Sequence, residues 1–283
     1  MILITGASGT VGRAVFAEIT ARGMPHRALY RSATEAAKAP AGSPIVVADF
    51  ADKASLTPAL RGVGSVFLVC SPIPELVELE TNVIEAAEAA GVARIVLNSA
   101  LGAGDYPKSF PSWHRNVEDR LKATRMAYTV LRPNSFMQNV VAFYALSIRA
   151  QGAFFAAMGD ARTAYIDVRD VAAVAATALA GGHDGTTYEL HGPEGLTCAE
   201  IARKVSEHAG VAARFVDIPV EDQQKAMLAQ GMPEWQVTAL LDLQAYYTGG
   251  RGGTPDRTVE RLLGRSVRTI DAFLAENAAA FRG

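Results

Sequence analysis

The chain opens with MILITGASGTVG (residues 1–12), and this stretch decides the fold. A short apolar run ends at Thr5, and three glycines follow at a Gly-x-x-Gly-x-x-Gly spacing, at Gly6, Gly9 and Gly12. Residues 10–22 then carry apolar side chains at helical spacing, which predicts an amphipathic helix. A buried strand, a glycine-rich turn and a helix in this order are typical of a site that binds the pyrophosphate of a nucleotide.

The glycine-rich stretch predicts which residues hold that pyrophosphate. Glycines allow a tight turn and a close approach of the backbone, and the first turn of the helix offers free N–H groups to an anion. We expect the pyrophosphate to be held by Gly6, Ser8, Gly9, Thr10, Val11 and Gly12. Taken alone, such a string also fits an ordinary turn, and its position between a strand and a helix favours the nucleotide site.

Apolar runs and amphipathic helices alternate along the first half of the chain. Further strands are predicted at residues 27–30, 45–48, 65–70, 94–97 and 128–131. This alternation predicts an α/β fold, a Rossmann doubly wound parallel sheet, with a small and mostly helical C-terminal substrate region. We predict an NAD(P)-binding domain over residues 1–155, interleaved with a substrate-side region over residues 156–283.

Local signals predict further elements along the chain. Ser112 is predicted to cap a helix that runs to about residue 124, and Asp170 to cap a later Ala-rich helix. Residues 165–168 and 187–190 are predicted to be strands, residues 197–200 form a capping box, and residues 213–283 are expected to be mostly helical.

Composition narrows the class of protein. The 283 residues include 27 Lys plus Arg and 29 Asp plus Glu, a net charge of −2 that argues against nucleic-acid binding. Two cysteines are too few for a disulfide framework or a structural zinc site, and the histidines show no metal-ligand spacing, so no metal is assigned. Neither a signal peptide nor a membrane-spanning stretch is visible, and we therefore expect a cytoplasmic protein. A homo-oligomer is compatible with these numbers.

The residue after the second strand bears on the choice of cofactor. An acidic residue there binds the ribose 2′-hydroxyl of NAD, whereas an arginine accommodates the 2′-phosphate of NADP. The sequence has Arg31 at this place and no acid before Glu35, which favours NADP(H). A solvated surface arginine is the alternative.

Other strand ends are expected to face the cofactor because ligands of such sheets lie beyond the carboxyl ends of the strands. Asp49 is a candidate to bind the adenine amino group, or alternatively to cap the following helix, and Phe50 to stack near the adenine ring. The remaining candidates at strand ends are Cys70, Ser71, Pro72, Ser99, Pro133 and Phe136. Cys70 and Phe136 also fit a simple role in the apolar core.

These motifs, taken together and in order, resemble the NmrA-like branch of the atypical short-chain dehydrogenases/reductases. The resemblance covers nearly the whole chain and rests on ITGASGTVG, Asp49-Phe50, VFLVCSP, RIVLNSA, YTVLRPNSFMQN, YIDVRDVA, TYELHGPEGLT and LLGRSVRTIDAFL. It implies a Rossmann fold that binds a nicotinamide cofactor. Members of the family include NADPH-dependent quinone and azo-dye reductases, and regulators that sense the cofactor without catalysis.

The resemblance also indicates the active-site positions. Ser99 matches the reductase serine, while His114 and Glu118 stand where the usual Tyr-x-x-x-Lys pair is expected, which argues against a sugar-nucleotide epimerase. Because residues four apart share a helix face, Glu118 is expected to orient the His114 imidazole and raise its pKa, with Lys122 near enough to pair with Glu118. A surface ion pair of the histidine and the glutamate is the alternative.

The sequence thus predicts an NADPH-dependent oxidoreductase that passes a hydride to a small, apolar, planar acceptor such as a quinone. The catalytic candidates are Ser99, His114 and Glu118. The alternative is a non-catalytic NADP(H)-sensing regulator that binds a protein partner.

Overall fold

The computed structural model describes residues 1–282. These residues contain nine strands: β1 (Ile2–Ile4), β2 (His26–Tyr30), β3 (Ile45–Val47), β4 (Ser65–Leu68), β5 (Arg94–Asn98), β6 (Ala127–Pro133), β7 (Ala153–Ala156), β8 (Thr186–Leu190) and β9 (Arg214–Asp217). The first helices are α1 (Thr10–Ala21), α2 (Ala33–Ala36), α3 (Lys53–Ala59), α4 (Leu76–Ala89), α5 (Ser109–Lys122), α6 (Gln138–Gln151) and α7 (Val168–Ala180). The others are α8 (Cys198–Ala209), α9 (Val220–Ala229), α10 (Glu234–Thr248), α11 (Thr258–Leu263) and α12 (Ile270–Glu276), followed by a 3-10 turn at Ala278–Phe281.

Seven strands form one sheet in the order β3-β2-β1-β4-β5-β6-β8. All neighbouring pairs from β3 to β6 are parallel, as the predicted Rossmann fold requires. The strand order reverses between β1 and β4, which is where ligands of such sheets bind. The hydroxyl of Thr5 ties the two strand ends together, because it accepts from the Val69 amide at 2.8 Å and donates to the Val69 carbonyl at 3.0 Å.

The chain divides into two compact units. Unit 1 comprises residues 1–105, 110–132 and 171–189, and unit 2 comprises residues 106–109, 133–170 and 190–283. The chain passes from one unit to the other at residues 105/106, 109/110, 132/133, 170/171 and 189/190. Unit 1 contains the glycine-rich turn, and in its core the buried side chains of β1, β4 and β5 pack with those of α3, α4 and α5.

Unit 2 corrects several predictions. Residues 165–168 are not a strand: Ile166 forms a single bridge to Phe136, and α7 begins at Val168. Residues 213–282 are mostly helical, as predicted, but they also include the strand β9, which pairs in parallel with β7 in a small second sheet. Asp170 does not cap α7, because it lies inside the first turn and its carboxylate binds Arg265 at 2.7 Å.

Two predicted helix starts have different outcomes. The capping box at Thr197 is confirmed, since the threonine hydroxyl accepts from the Glu200 amide and the Glu200 carboxylate from the Thr197 amide. The cap at Ser112 is wrong, because α5 begins three residues earlier at Ser109. No helix within residues 1–282 is long and apolar enough to cross a membrane.

Candidate functional site

The glycine-rich turn of unit 1 has the geometry of a phosphate-binding loop. Gly6 has φ = +58°, a left-handed conformation that glycine adopts without strain. A Cβ on Gly12 would lie 2.1 Å from the Gly6 carbonyl oxygen, so only glycine lets α1 approach the loop this closely. Gly9 precedes α1 and provides no side-chain cap, which leaves N–H groups of the first turn free to bind an anion.

The other residues of the loop divide by exposure. Ser8, Gly9 and Thr10 are exposed and offer two hydroxyl groups beside the helix N-terminus. The side chain of Val11 is buried, so this residue can contribute only its backbone. The loop therefore fits the pyrophosphate of a dinucleotide, as the spacing predicts.

Arg31 and Glu35 lie next to this loop. Arg31 directly follows β2, and its side chain is 72% exposed. Its guanidinium lies 3.4 Å from the Glu35 carboxylate, which also accepts a 3.5 Å hydrogen bond from Ser8. Ser32 caps α2 by accepting from the Glu35 amide. The position expected to contact the ribose 2′ group thus holds both a cation, Arg31, and an anion, Glu35.

The turn after β3 carries Asp49 and Phe50. The Asp49 carboxylate accepts from the Ala51 amide at 2.9 Å, and α3 is capped by Asp52. The alternative role of Asp49 as a helix cap is therefore wrong, and its adenine contact stays a prediction. Asn82 of α4 is buried and donates to the Phe50 carbonyl at 2.9 Å, and this hydrogen bond holds the turn against α4.

The turn after β4 contains Cys70, Ser71 and Pro72, and Cys70 lies two residues beyond the end of the strand. Burial and the neighbouring Glu80 raise the pKa of the Cys70 thiol to about 12, so it stays protonated and unreactive at neutral pH. Burial also raises the pKa of the fully buried Glu80 carboxyl to about 8. Ser71 and Pro72 are exposed, and the contact of these three residues with the cofactor stays a prediction.

Ser99, Glu118 and Arg132 form a buried polar network at the end of β5. The Ser99 hydroxyl donates to the Glu118 carboxylate at 2.7 Å, and Arg132 of β6 makes two hydrogen bonds to it at 2.8 Å. Lys122 adds a third donor at 2.9 Å, as expected. Although burial opposes ionisation, these bonds outweigh it and lower the pKa of Glu118 to about 2. Glu118 is therefore an anion that accepts hydrogen bonds and has no proton to give.

His114 lies one turn before Glu118 on α5 and is only 6% exposed. Burial lowers the pKa of its imidazole to about 4, and the opposing effect of Glu118 is smaller. The expected rise of this pKa is therefore wrong, because desolvation outweighs the nearby carboxylate. The surface ion pair is wrong too, since both side chains are buried. Within residues 1–282 the His114 Nδ1 has no hydrogen-bond partner.

Pro133 and Phe136 belong to unit 2. Pro133 is buried, while Phe136 is half-buried and bridges to Ile166 through its backbone. Between them, Asn134 is a buried hub: its side chain accepts from the Tyr247 hydroxyl at 3.0 Å and donates to the Gly252 carbonyl at 2.8 Å. The role of Pro133 and Phe136 toward the cofactor remains a prediction.

Unit 2 also contains a cleft of about 790 Å³. Apolar side chains of Met158, Ile218 and Val220 form part of its wall, and Tyr247 and Arg162 add polar groups. Within the described part of the chain, no group of three or more His, Cys, Asp or Glu side chains is placed to hold a metal ion.

Two residues of this site were missed from the sequence. In the sequence, Arg132 looks like an isolated charge in an apolar strand. An arginine in such a strand requires an acidic partner, and this requirement could have linked Arg132 to Glu118. Glu35 was noted as the first acid after β2, but the turn that brings it to Ser8 could not be foreseen from its spacing.

Comparisons with known proteins agree with this geometry. Residues 6–181 match the NAD(P)H-binding family. The chain is 35% identical over 284 residues to the NAD(P)H azoreductase of Xenophilus azovorans, and the match covers 99% of both chains. It is 36% identical, again over 99% of both, to the (4-alkanoyl-5-oxo-2,5-dihydrofuran-3-yl)methyl phosphate reductase of Streptomyces griseus.

Solved structures show the same relationship. The NADPH complex of the Escherichia coli quinone oxidoreductase QOR2 superposes with a TM-score of 0.88 at 31% identity, covering 99% of each chain. NmrA shares the fold, with a TM-score of 0.77 at 14% identity. The NmrA-like resemblance is thereby confirmed, and the chain belongs to the NAD(P)H-binding family as an NAD(P)H-dependent oxidoreductase.

Proposed function

We propose that this protein transfers a hydride from NADPH to a small, planar, apolar acceptor such as a quinone. Reduced nicotinamide supplies the hydride when it is bound. The observation that supports this acceptor class is the protonation state of the end of β5, where Ser99 donates to an ionised Glu118 and His114 is neutral. The azo, quinone and furanone groups named for the relatives are conjugated acceptors too.

The cofactor would be held mainly by unit 1. The pyrophosphate fits the loop from Gly6 to Gly12, including Ser8, Gly9, Thr10 and Val11, and Arg31 is proposed to bind the 2′-phosphate. Asp49 and Phe50 are proposed to contact the adenine, beside Cys70, Ser71 and Pro72. Ser99, Pro133 and Phe136 are proposed to line the nicotinamide side.

Ketones are poor acceptors for this arrangement. A hydride added to a ketone leaves a localised alkoxide, which needs a strong acid nearby. Ser99 cannot give its proton to an alkoxide while it donates to Glu118, and Glu118 has no proton to give. A hydride added to a quinone instead leaves a hydroquinone anion that its ring stabilises. That anion, which already holds both electrons of the hydride, takes one proton from water and becomes the hydroquinone.

His114 is proposed to act as a neutral hydrogen-bond donor. Its buried Nδ1 has no partner among residues 1–282, and such an orphaned atom costs free energy unless a ligand satisfies it. A neutral N–H group aimed at the acceptor's oxygen stabilises negative charge as it develops. Glu118 is then a positioning residue, which holds Ser99 and is itself held by Arg132 and Lys122.

The Ser99→Ala variant tests this assignment. We expect NADPH oxidation by quinones to continue within a few-fold of the wild-type kcat, because Ser99 donates no proton to the acceptor. If Ser99 were a proton donor, its loss would lower kcat by about 10²–10⁴-fold. A matched panel of ketones should show no turnover with either protein. Ketone reduction that depends on Ser99 would contradict the proposal.

A further inference from the structure

The Glu35 carboxylate lies between two groups that flank the cofactor site of unit 1. One oxygen is 3.5 Å from the Ser8 hydroxyl, in the phosphate-binding loop. The other is 3.4 Å from the Arg31 guanidinium, at the end of β2. Because Ser32 accepts from the Glu35 backbone amide, the backbone of Glu35 is fixed in this place.

Arg31 and Glu35, which favour opposite groups at the ribose 2′ position, therefore lie next to each other. A carboxylate beyond the second strand can accept a hydrogen bond from the 2′-hydroxyl of NADH, whereas an arginine favours the 2′-phosphate of NADPH. In this chain the arginine is paired with the carboxylate. A 2′-phosphate carries close to two negative charges. It would therefore compete with Glu35 for Arg31, and the Glu35 carboxylate would repel it.

We propose that Glu35 is the cofactor-selecting residue of this protein: it accepts from the 2′-hydroxyl of NADH and opposes the 2′-phosphate of NADPH. Arg31 and Glu35 together then let one site take either cofactor, and Glu35 narrows the preference that Arg31 alone would create. This inference rests on the proposed use of NADPH and adds a residue that acts in the opposite sense.

The side chain of Glu35 can be changed without disturbing the fold. The cap on α2 uses the backbone amide of Glu35, so Glu35→Gln keeps it. The chain also offers a matched control on α1, where Glu18 forms an exposed i,i+4 ion pair with Arg22 at 2.8 Å. Glu18→Gln removes the same charge from the same kind of pair outside the phosphate-binding loop.

The test is the dissociation constant of each cofactor, measured by fluorescence titration with no acceptor present. For Glu35→Gln we expect the Kd of NADPH to fall by about tenfold, since one repulsive charge beside the phosphate is removed. The Kd of NADH should rise several-fold in the same variant. Glu18→Gln should leave both constants unchanged, and Arg31→Ala should weaken NADPH while sparing NADH.

Two results would overturn the role of Glu35. One is a change of both constants in the same direction for Glu35→Gln, and the other is a ratio of the two constants equal to that of Glu18→Gln. The proposed NADPH preference is judged separately, from the ratio in the wild-type protein and from Arg31→Asp, which should reverse it. A wild-type preference for NADH would contradict that preference and leave the Glu35 comparison readable.

Discussion

Glu118 carries a full charge in a position with no solvent exposure, and its neighbours explain how. A buried carboxylate is stable only when it is paired and hydrogen-bonded, and Glu118 has two bonds from Arg132, one from Lys122 and one from Ser99. The reductase pattern expected a lysine that acts on a tyrosine at this place. Here a fixed anion neutralised by two cations takes its place, and burial keeps His114 uncharged despite this nearby anion.

The pH dependence of turnover follows from the neutral state of His114. Its pKa of about 4 lies below its ordinary value, so the imidazole binds no proton at any pH between about 5 and 8. We therefore expect kcat/KM for a quinone to be independent of this group across that range. Replacing the donor, in His114→Ala, should lower kcat/KM by about 10²-fold at every pH.

The control is His183→Ala, which changes a half-buried histidine bonded to Tyr188 in the same unit. It should leave the rate unchanged. If the imidazolium were the acid, kcat/KM would fall as the pH rises through about 7, and His114→Ala would abolish that fall. Such a profile would show that the pKa of His114 is raised after all.

At the scale of elements, the contact between α1 and the glycine-rich loop is the tightest feature of the cofactor site. We expect Gly12→Ala to destabilise the protein by about 3 kcal/mol or more, because the new Cβ would lie 2.1 Å from a backbone oxygen that cannot move aside. Thermal unfolding in the absence of cofactor measures this effect, which is independent of any ligand.

Gly9→Ala is the matched control in the same loop. Its Cβ would lie 3.3 Å from the same Gly6 oxygen, and its φ of −86° suits alanine. The cost should stay below about 1 kcal/mol. Equal melting temperatures for the two variants would contradict the close approach of α1 to the loop.

The elements that the sequence predicted well are those with strong local signals. The seven-stranded sheet of unit 1 follows from short apolar runs that alternate with amphipathic helices. β7 and β9 were missed because they pair across 57 intervening residues, and neither strand of four residues has a clear period. Residues 165–168 have a strand-like composition, but only Ile166 forms a bridge. A strand requires paired neighbours, and composition does not show whether a segment has them.

At the scale of the whole molecule, the sequence predicted the NAD(P)H-binding class of the protein better than the chemistry of the candidate site. The glycine spacing, the end of the second strand and the resemblance singled out the loop, Arg31, Ser99, His114 and Glu118, whose roles toward the cofactor and the acceptor stay predictions. Spacing carries no information on burial, which sets the pKa of His114, or on the partner in a neighbouring strand, which makes Ser99 a donor to Glu118. These properties arise only once β5, α5 and β6 pack together.

One anaerobic single-turnover experiment tests hydride transfer to a conjugated acceptor most directly. The protein is saturated with NADPH and mixed with excess quinone while the absorbance of the reduced nicotinamide is followed. We predict complete loss of this absorbance and formation of one hydroquinone for each NADPH consumed. NADPH that binds tightly but is oxidised by neither a quinone nor an azo dye would contradict hydride transfer and indicate a cofactor sensor.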